Sequence, residues 1–391
     1  MTRNNIDLLD LLNQMQNEEF FPEVLKTTLE KLMDLEVSQR IKANLNERSD
    51  SRETYRNGYR PRSLNTRLGE IDLEIPKLRS GSYHPRFLQH YKRTEAAMIS
   101  VIQESYIQGV STRKMSKIIQ EMGIEGISKS QVSDMCQSIK EEVDSFFTSP
   151  IEGFWPYVYL DASYIKVRQN KMVVSKAVIV AIGVNEQGNR RVLGLKVAES
   201  EAAFFWKEFL EGLIDRGLKG VKLVISDAHK GLQEAINTVF LGASWQRCWV
   251  HFMRNILSHT SKKNSSEILA HIKSITGFKT PEGPRKQWKA VISTLEEKYP
   301  KIAQLMTEAE EEVLAHTNFP PAHWSKIYSN NPIERLNKEI KRRTNSVGIF
   351  PNDEAVIRLI GSVLIQQDED WIDSKAYLSQ NSIKLIGGNE M

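Results

Sequence analysis

Three carboxylates stand apart from the other acids of this chain because of where they fall. Asp161 lies in the middle of Tyr157-Val158-Tyr159-Leu160-Asp161-Ala162-Ser163-Tyr164-Ile165-Lys166-Val167, a run of aromatic and β-branched residues suited to a buried strand. No lysine or arginine of the run comes before Lys166, and an unpaired carboxylate in a buried strand is costly unless something cationic meets it. Asp227 closes a second apolar run, Val221-Lys222-Leu223-Val224-Ile225-Ser226-Asp227. Glu334 follows Pro332 at the start of a helical pattern that continues to Arg343. Each has an ordinary alternative. Asp161 caps a local turn, Asp227 caps the helix after it, and Glu334 is favoured by the helix dipole. If the three meet, they form a hard-oxygen site with no thiolate, suited to Mg²⁺ or Mn²⁺. Two such ions, about 4 Å apart, would activate a nucleophilic oxygen and stabilise the leaving oxygen of a phosphodiester.

Whether they meet depends on the elements that carry them. Strand patterns at 157–167, 177–184 and 191–197, joined by short turns, predict an antiparallel meander. A helix over about 201–216 follows, with Phe204, Phe205, Phe209, Leu210 and Leu213 as its apolar stripe, then the strand ending at Asp227. A helix from His229 to Val239 and a short strand over 244–248 complete the series. Three strands, helix, strand, helix, strand is the order of a ribonuclease-H-like α/β fold with a mixed five-stranded sheet. In that order the centre of the first strand lies beside the end of the fourth, which brings Asp161 to Asp227. From His251 to about Trp324 no strand signal appears, and the region reads as an all-helical insertion broken at Thr280-Pro281-Glu282-Gly283-Pro284. On the helix beyond it, Ile333, Leu336 and Ile340 face the core, which leaves Glu334, Asn337, Lys338 and Lys341 for a cleft. A last helix is expected from Asp353 to Gln366.

Upstream, residues 6–46 read as amphipathic helices that pack on a neighbour, either this chain or a second copy, which makes them the first candidate for a homodimer interface. From Asn46 to Arg62 the sequence turns polar and arginine-rich, with Asn57-Gly58 as a turn signal. Thr66 to Pro76 then alternates as a half-buried strand that the proline ends. Residues 95–147 are helical again. The third of these helices, from Lys129 to Phe147, is N-capped by Ser128, and the arrangement resembles a helix-turn-helix whose Lys129, Ser130 and Gln131 would reach base edges. Helix pairs of this outline also occur in proteins that never touch DNA. The expected divisions are 1–92, 93–150, 151–250, 251–325 and 326–391.

Composition narrows the setting. A chain of 391 residues exceeds one compact core, and 40% apolar with 26% charged residues is ordinary for a globular protein. Two cysteines, Cys136 and Cys248, give no disulfide framework, and no signal peptide or stretch of about 18 apolar residues is seen, so a cytoplasmic protein is expected, without membrane or nucleotide-cofactor partners. Between Arg40 and Arg93 there are 13 Lys and Arg against 6 Asp and Glu. That local excess, with Arg56, Arg60 and Arg62 at its centre, fits a polyanion contact, or else a solvated linker. A second basic run, Arg335, Lys338, Lys341, Arg342 and Arg343, shares the helix of Glu334, where it is either a solvated face or a grip on a DNA backbone. Cys248-x-x-His251 offers two zinc ligands where a structural site needs four, and neither His229 nor His259 has ligand-like spacing. Trp288 and Trp324 read as core residues, with stacking on a DNA end as the alternative for Trp324.

The strand order, the three acids, Cys248-Trp249-Val250-His251 and Asn331-Pro332-Ile333-Glu334-Arg335-Leu336-Asn337 together resemble the Mutator-like transposases of bacterial insertion sequences. The likeness covers nearly the whole chain, including the segment around Gly69-Glu70 and Pro76-Lys77-Leu78-Arg79. The resemblance implies a DDE-type DNA transposase in which Asp161, Asp227 and Glu334 are catalytic and hold two Mg²⁺ or Mn²⁺ ions, with a helical insertion before the Glu. It implies terminal inverted repeats and target DNA as partners. It also implies that His251 lies near the active site, touching a phosphate or orienting a reacting group, while Cys248 is packed. Two rival readings stand beside it: a ribonuclease-H-like nuclease without strand transfer, and a DNA-binding regulator derived from a transposase.

Overall fold

A computed structural model describes residues 20–44, 47, 52–66, 69–85, 96–110, 112–121, 132, 134–261 and 263–386. The chain divides into two compact units, Met1–Ser138 and Ile139–Met391.

In the first unit, helix α1 (Phe20–Ile41) packs on a two-stranded antiparallel hairpin, β1 (Arg56–Thr66) and β2 (Gly69–Leu78). Met33, Val37 and Ile41, at helical spacing, meet Ile71, Leu73 and Ile75, at strand spacing. The arginine-rich segment is therefore a strand, where a turn at Asn57-Gly58 was expected. Gly58 takes a left-handed φ of 71° inside a bulge between Arg56 and Tyr59, so the extra residue is absorbed and the ladder continues. Pro76 does not end β2 either: it pairs with Tyr59, and the strand runs on to Leu78. In a two-stranded sheet every strand is an edge, and a proline costs little where its missing N–H faces outward. Helices α2 (Ala96–Ile107) and α3 (Thr112–Glu121) follow, with Met115 and Ile119 buried on α3. Lys129, Ser130 and Gln131 lie outside the described residues, as does the start of the helix expected there.

Helix α4 (Gln137–Thr148) leads into the second unit, which is built on a mixed sheet of β3 (Tyr157–Gln169), β4 (Met172–Val184), β5 (Arg190–Ala198), β6 (Leu223–Ser226) and β7 (Ser244–Arg247) in the order β5-β4-β3-β6-β7. β3, β4 and β5 are antiparallel, whereas β6 and β7 run parallel to β3. Asn170 and Lys171, at φ 49° and 67°, make the tight turn between β3 and β4, and their twist matches that of the strands. The five expected strands gain a sixth, β8 (Ile349–Phe350), parallel to β3 at Lys166 and Val167. Two residues leave no alternation to read in a sequence.

The two faces of the sheet are covered differently. Val158 and Leu160 of β3, with Ile179, Leu193 and Val224, are packed against Trp206, Phe209, Leu210 and Leu213 of α5 (Ala203–Asp215) and Leu232 and Ile236 of α6 (Lys230–Val239). The alternate β3 residues Tyr157, Tyr159 and Asp161 point the other way, as the strand period requires. There, Tyr157 Oη bonds His323 and Tyr159 Oη donates to the Lys326 carbonyl, both in α11 (Pro321–Ile327). Helix α12 (Asn331–Val347) and helix α13 (Asp353–Ile372) complete this side. α13 runs past its expected end at Gln366 because Asp368, fully buried, accepts the Val192 N–H at 2.7 Å and pairs with Arg191 at 2.8 Å.

Between β7 and α12 the chain is helical as expected: α7 (Trp249–Ser258), α8 (Ser265–Lys273), α9 (Glu282–Glu296) and α10 (Pro300–Leu314). Their shared core contains Phe252, Ile256, Ile272, Trp288, Leu295 and Met306. Trp288 is fully buried, stacked on Phe252 at 5.5 Å, with its indole N–H satisfied by the Met306 carbonyl. No helix among the described residues is long and apolar enough to cross a membrane.

Candidate active site

The parallel pairing of β3 with β6 aligns Tyr159 with Ile225, so two residues further along each strand stand Asp161 and, just past the end of β6, Asp227. Both are half-buried. The Asp161 carboxyl is pushed up to about 7, first by burial and then by the negative charge of Asp227, with Glu334 and Glu201 adding to it. Asp227 is not the N-cap of α6. That position belongs to His229, whose backbone N–H donates to Asp227 Oδ1 at 3.3 Å in a local turn.

Glu334 enters from α12, in its first turn. The helix is tied to the sheet at two points. Asn330, at its N-cap and fully buried, donates from Nδ2 to the Leu160 carbonyl at 2.8 Å, one residue before Asp161. Asn337 donates from Nδ2 to Asp161 Oδ2 at 2.7 Å. The start of α7 is tied in as well: the Trp249 N–H donates to the Tyr328 carbonyl at 3.0 Å and the Asn330 N–H donates to Cys248 Sγ at 3.2 Å. His251, in the first turn of α7, is thereby placed with Nε2 at 3.8 Å from Glu334 Oε1, and Arg254 Nη1 lies 3.3 Å from the same oxygen. Asp161, in the body of β3, is therefore close enough to Asp227, just past the end of β6, and to Glu334 for their charges to act on it, and His251 stands beside Glu334. Among the described residues, the one group of three or more His, Cys, Asp or Glu side chains whose donor atoms all lie within 4.8 Å of one another is Cys248, His251 and Glu334, so the three carboxylates are spread more widely than that trio.

The sequence profile of the family described as "Transposase, Mutator family" matches residues 2–374. The chain belongs to the Mutator family of transposases. Among similar proteins, the transposase for insertion sequence element IS1081 of Mycobacterium tuberculosis is 42% identical over 358 residues, 91% of this chain and 86% of that one. The transposase for insertion sequence element IS256 in transposon Tn4001 of Staphylococcus aureus is 36% identical over 382 residues, 97% and 98% of the two chains. That for insertion sequence element ISRM5 of Rhizobium meliloti is 34% identical over 370 residues, 95% and 93%.

In this Mutator-family chain the basic run of α12 is divided by packing. Arg335, Lys338 and Lys341 are exposed. Arg342 is exposed but paired with Glu339 at 2.6 Å, and Arg343 is buried, donating to Glu339 at 3.0 Å and to Gln366. Arg343 therefore presents no charge to a ligand. Trp324 is equally withdrawn: it is 8% exposed, donates to the Phe319 carbonyl and packs edge-on against His316. On the hairpin of the first unit Arg60 is exposed and Arg62 half-buried, while Arg56 is partly used internally, donating to Ser38 Oγ at 2.8 Å. Two participants had no sequence signal. Glu201, half-buried just before α5, has its carboxyl raised by burial and by Asp227, against the lowering effects of His229 and Tyr164. Asn330 looks like any helix-capping asparagine until its buried bonds are seen.

Proposed function

We propose that this transposase binds the terminal inverted repeats of an insertion sequence and catalyses metal-dependent DNA cleavage and strand transfer. The observation that carries the reading is the bond from Asn337 to Asp161, which brings the helix of Glu334 to the edge where Asp161 and Asp227 lie side by side. The strand order and the helical insertion support a ribonuclease-H-like catalytic fold. The donor set fits hard divalent ions. Asp161 and Asp227 repel each other until a cation arrives, and Glu334 Oε1 is buried without a hydrogen-bond partner. Asp161, Asp227 and Glu334 would hold two Mg²⁺ or Mn²⁺ ions, whose contribution is Lewis-acid stabilisation of the attacking and leaving oxygens.

The chain's own residues do the rest. Asn337 fixes one oxygen of Asp161, whose carboxylate is also met by the Ala162 N–H. His251, 3.8 Å from Glu334, would touch a phosphate oxygen or orient the attacking group. Arg335, Lys338 and Lys341 offer positive charge to the DNA backbone beside it. Water attacks the phosphodiester at the element end and the 3′-hydroxyl leaves; that hydroxyl then attacks a target phosphodiester, so one P–O bond forms as another breaks. Joining two ends calls for a homodimer, with residues 6–46 as its first candidate interface.

The test combines element-end DNA, target plasmid and Mg²⁺. The wild-type chain should yield joined products, and Asp161→Asn, Asp227→Asn and Glu334→Gln should lose cleavage and joining while still binding ends. Cleavage without joining would favour a simple nuclease; end binding with neither would favour a regulator. Normal cutting by Glu334→Gln would remove Glu334 from the site.

A further inference from the structure

We propose that Cys248, His251 and Glu334 form a second metal site that takes a borderline divalent transition ion such as Zn²⁺ through sulfur, imidazole nitrogen and carboxylate oxygen. Their donor atoms all lie within 4.8 Å of one another. Tetrahedral zinc, with ligand bonds of about 2.0–2.3 Å, needs donors roughly 3.3–3.8 Å apart, so an inward shift of about an ångström closes the site. His251 Nδ1 is buried without a hydrogen-bond partner, and Glu334 Oε1 is buried with no hydrogen bond beside its ion pair to Arg254.

The scaffold around the trio is rigid where it needs to be. Cys248 is fully buried at the N-cap of α7, His251 is three residues further on in the same first turn, and Glu334 is in the first turn of α12. The bonds from Trp249 N–H to Tyr328 and from Asn330 N–H to Cys248 Sγ lock the two helix starts together. The Asn330 N–H donates to the sulfur at 3.2 Å and would stay on it when a cation replaces the thiol proton. Arg254, which meets Glu334 Oε1 at 3.3 Å, is 62% exposed along its side chain and can swing into solvent when the ion enters. With three protein ligands the fourth position stays open.

The ligand set differs in kind from that of the proposed catalytic ions. A sulfur and an imidazole select Zn²⁺ or Co²⁺ over Mg²⁺, whereas the all-oxygen aspartate pair suits Mg²⁺ or Mn²⁺. Glu334 belongs to both sets, so an ion on the Cys248 side competes with the aspartates for it.

Cobalt titration of the DNA-free, full-length chain tests this. One Co²⁺ should bind the wild type with a sulfur-to-cobalt charge-transfer band and the visible bands of tetrahedral coordination, and Zn²⁺ should erase both. Cys248→Ser and His251→Gln should abolish the charge-transfer band, Glu334→Gln should weaken Co²⁺ binding roughly tenfold or more, and Cys136→Ser and Asp161→Asn should leave the band intact. Circular dichroism melts verify that each variant is folded, and His251→Gln, at a half-exposed position, carries the test if Cys248→Ser does not fold. No band in the folded wild type, a band surviving His251→Gln, or a band lost in Asp161→Asn would each overturn the proposal. The two assignments fail separately. Cobalt binding with undiminished cleavage by Asp161→Asn would sink the transposase site alone, and loss of cleavage without a cobalt band would sink this one alone.

Discussion

Asn337 Nδ2 donates to Asp161 Oδ2 at 2.7 Å, joining α12 to β3 across 176 positions of sequence. The side chain is buried, so the amide has no water to bond in exchange. If its task is to orient Asp161, Asn337→Ala should cut cleavage about 10- to 100-fold and raise the Mg²⁺ concentration needed for half-maximal rate. An unchanged metal requirement would make Asn337 a packing residue only.

Removing the charge of Asp161 should stabilise the metal-free protein. Its carboxyl, pushed up to about 7, is raised above its unfolded value, so the folded state binds the extra proton between about 4 and 7. Wild-type stability is then full at low pH and falls as pH rises through that window. Asp161→Asn should therefore melt higher than wild type at pH 8 in chelator, by on the order of 1–3 kcal/mol, and match it at pH 4. Equal melting at both pH values would mean that neither burial nor Asp227 burdens the Asp161 charge.

The basic face of α12 separates binding from stability. Lys338→Ala and Lys341→Ala should each weaken end-DNA binding and reduce the slope of log affinity against log salt by about 1, with little effect on melting. Arg343→Ala should act the other way round, because it strips Gln366 of its buried guanidinium partner and leaves Glu339 with Arg342 alone. Its expected cost is about 1–3 kcal/mol of stability with an unchanged salt slope.

His316 sets an acid limit. Burial holds its pKa down to about 4, and Nδ1 meets two acceptors, Gln246 Oε1 and the Val313 carbonyl, both at 3.1 Å. The unfolded chain takes up a proton between about 6.5 and 4 that the folded chain refuses, so stability is lost as pH falls through that window. His316→Gln should flatten this part of the stability–pH curve relative to wild type by up to about 3 kcal/mol, read from thermal melts. A parallel curve would show that His316 titrates normally.

What could be read from the sequence follows periodicity. The run from Tyr157, the helix stripe at Phe209, Leu210 and Leu213, and the strand before Asp227 were legible because each buries one face and repeats at 2 or 3.6 residues. The same order placed Asp161 beside Asp227. Legibility failed where local signals were overruled. A bulge at Gly58 turned an apparent turn into a strand, Pro76 sat on an edge that tolerates it, and β8 was too short to alternate. The basic run of α12 looked uniform, yet Arg343 faces Gln366 and Lys338 faces solvent.

The sequence by itself determined the elements, the acids and the family likeness, since these depend on residue types along one dimension. Tertiary structure alone decided that Asn330 and Asn337 reach across to Leu160 and Asp161, and that Cys248 and His251 close on Glu334. Such contacts join residues far apart in the chain. They depend on the helical insertion, packed around Trp288, returning α12 to the sheet, and no local pattern encodes that return.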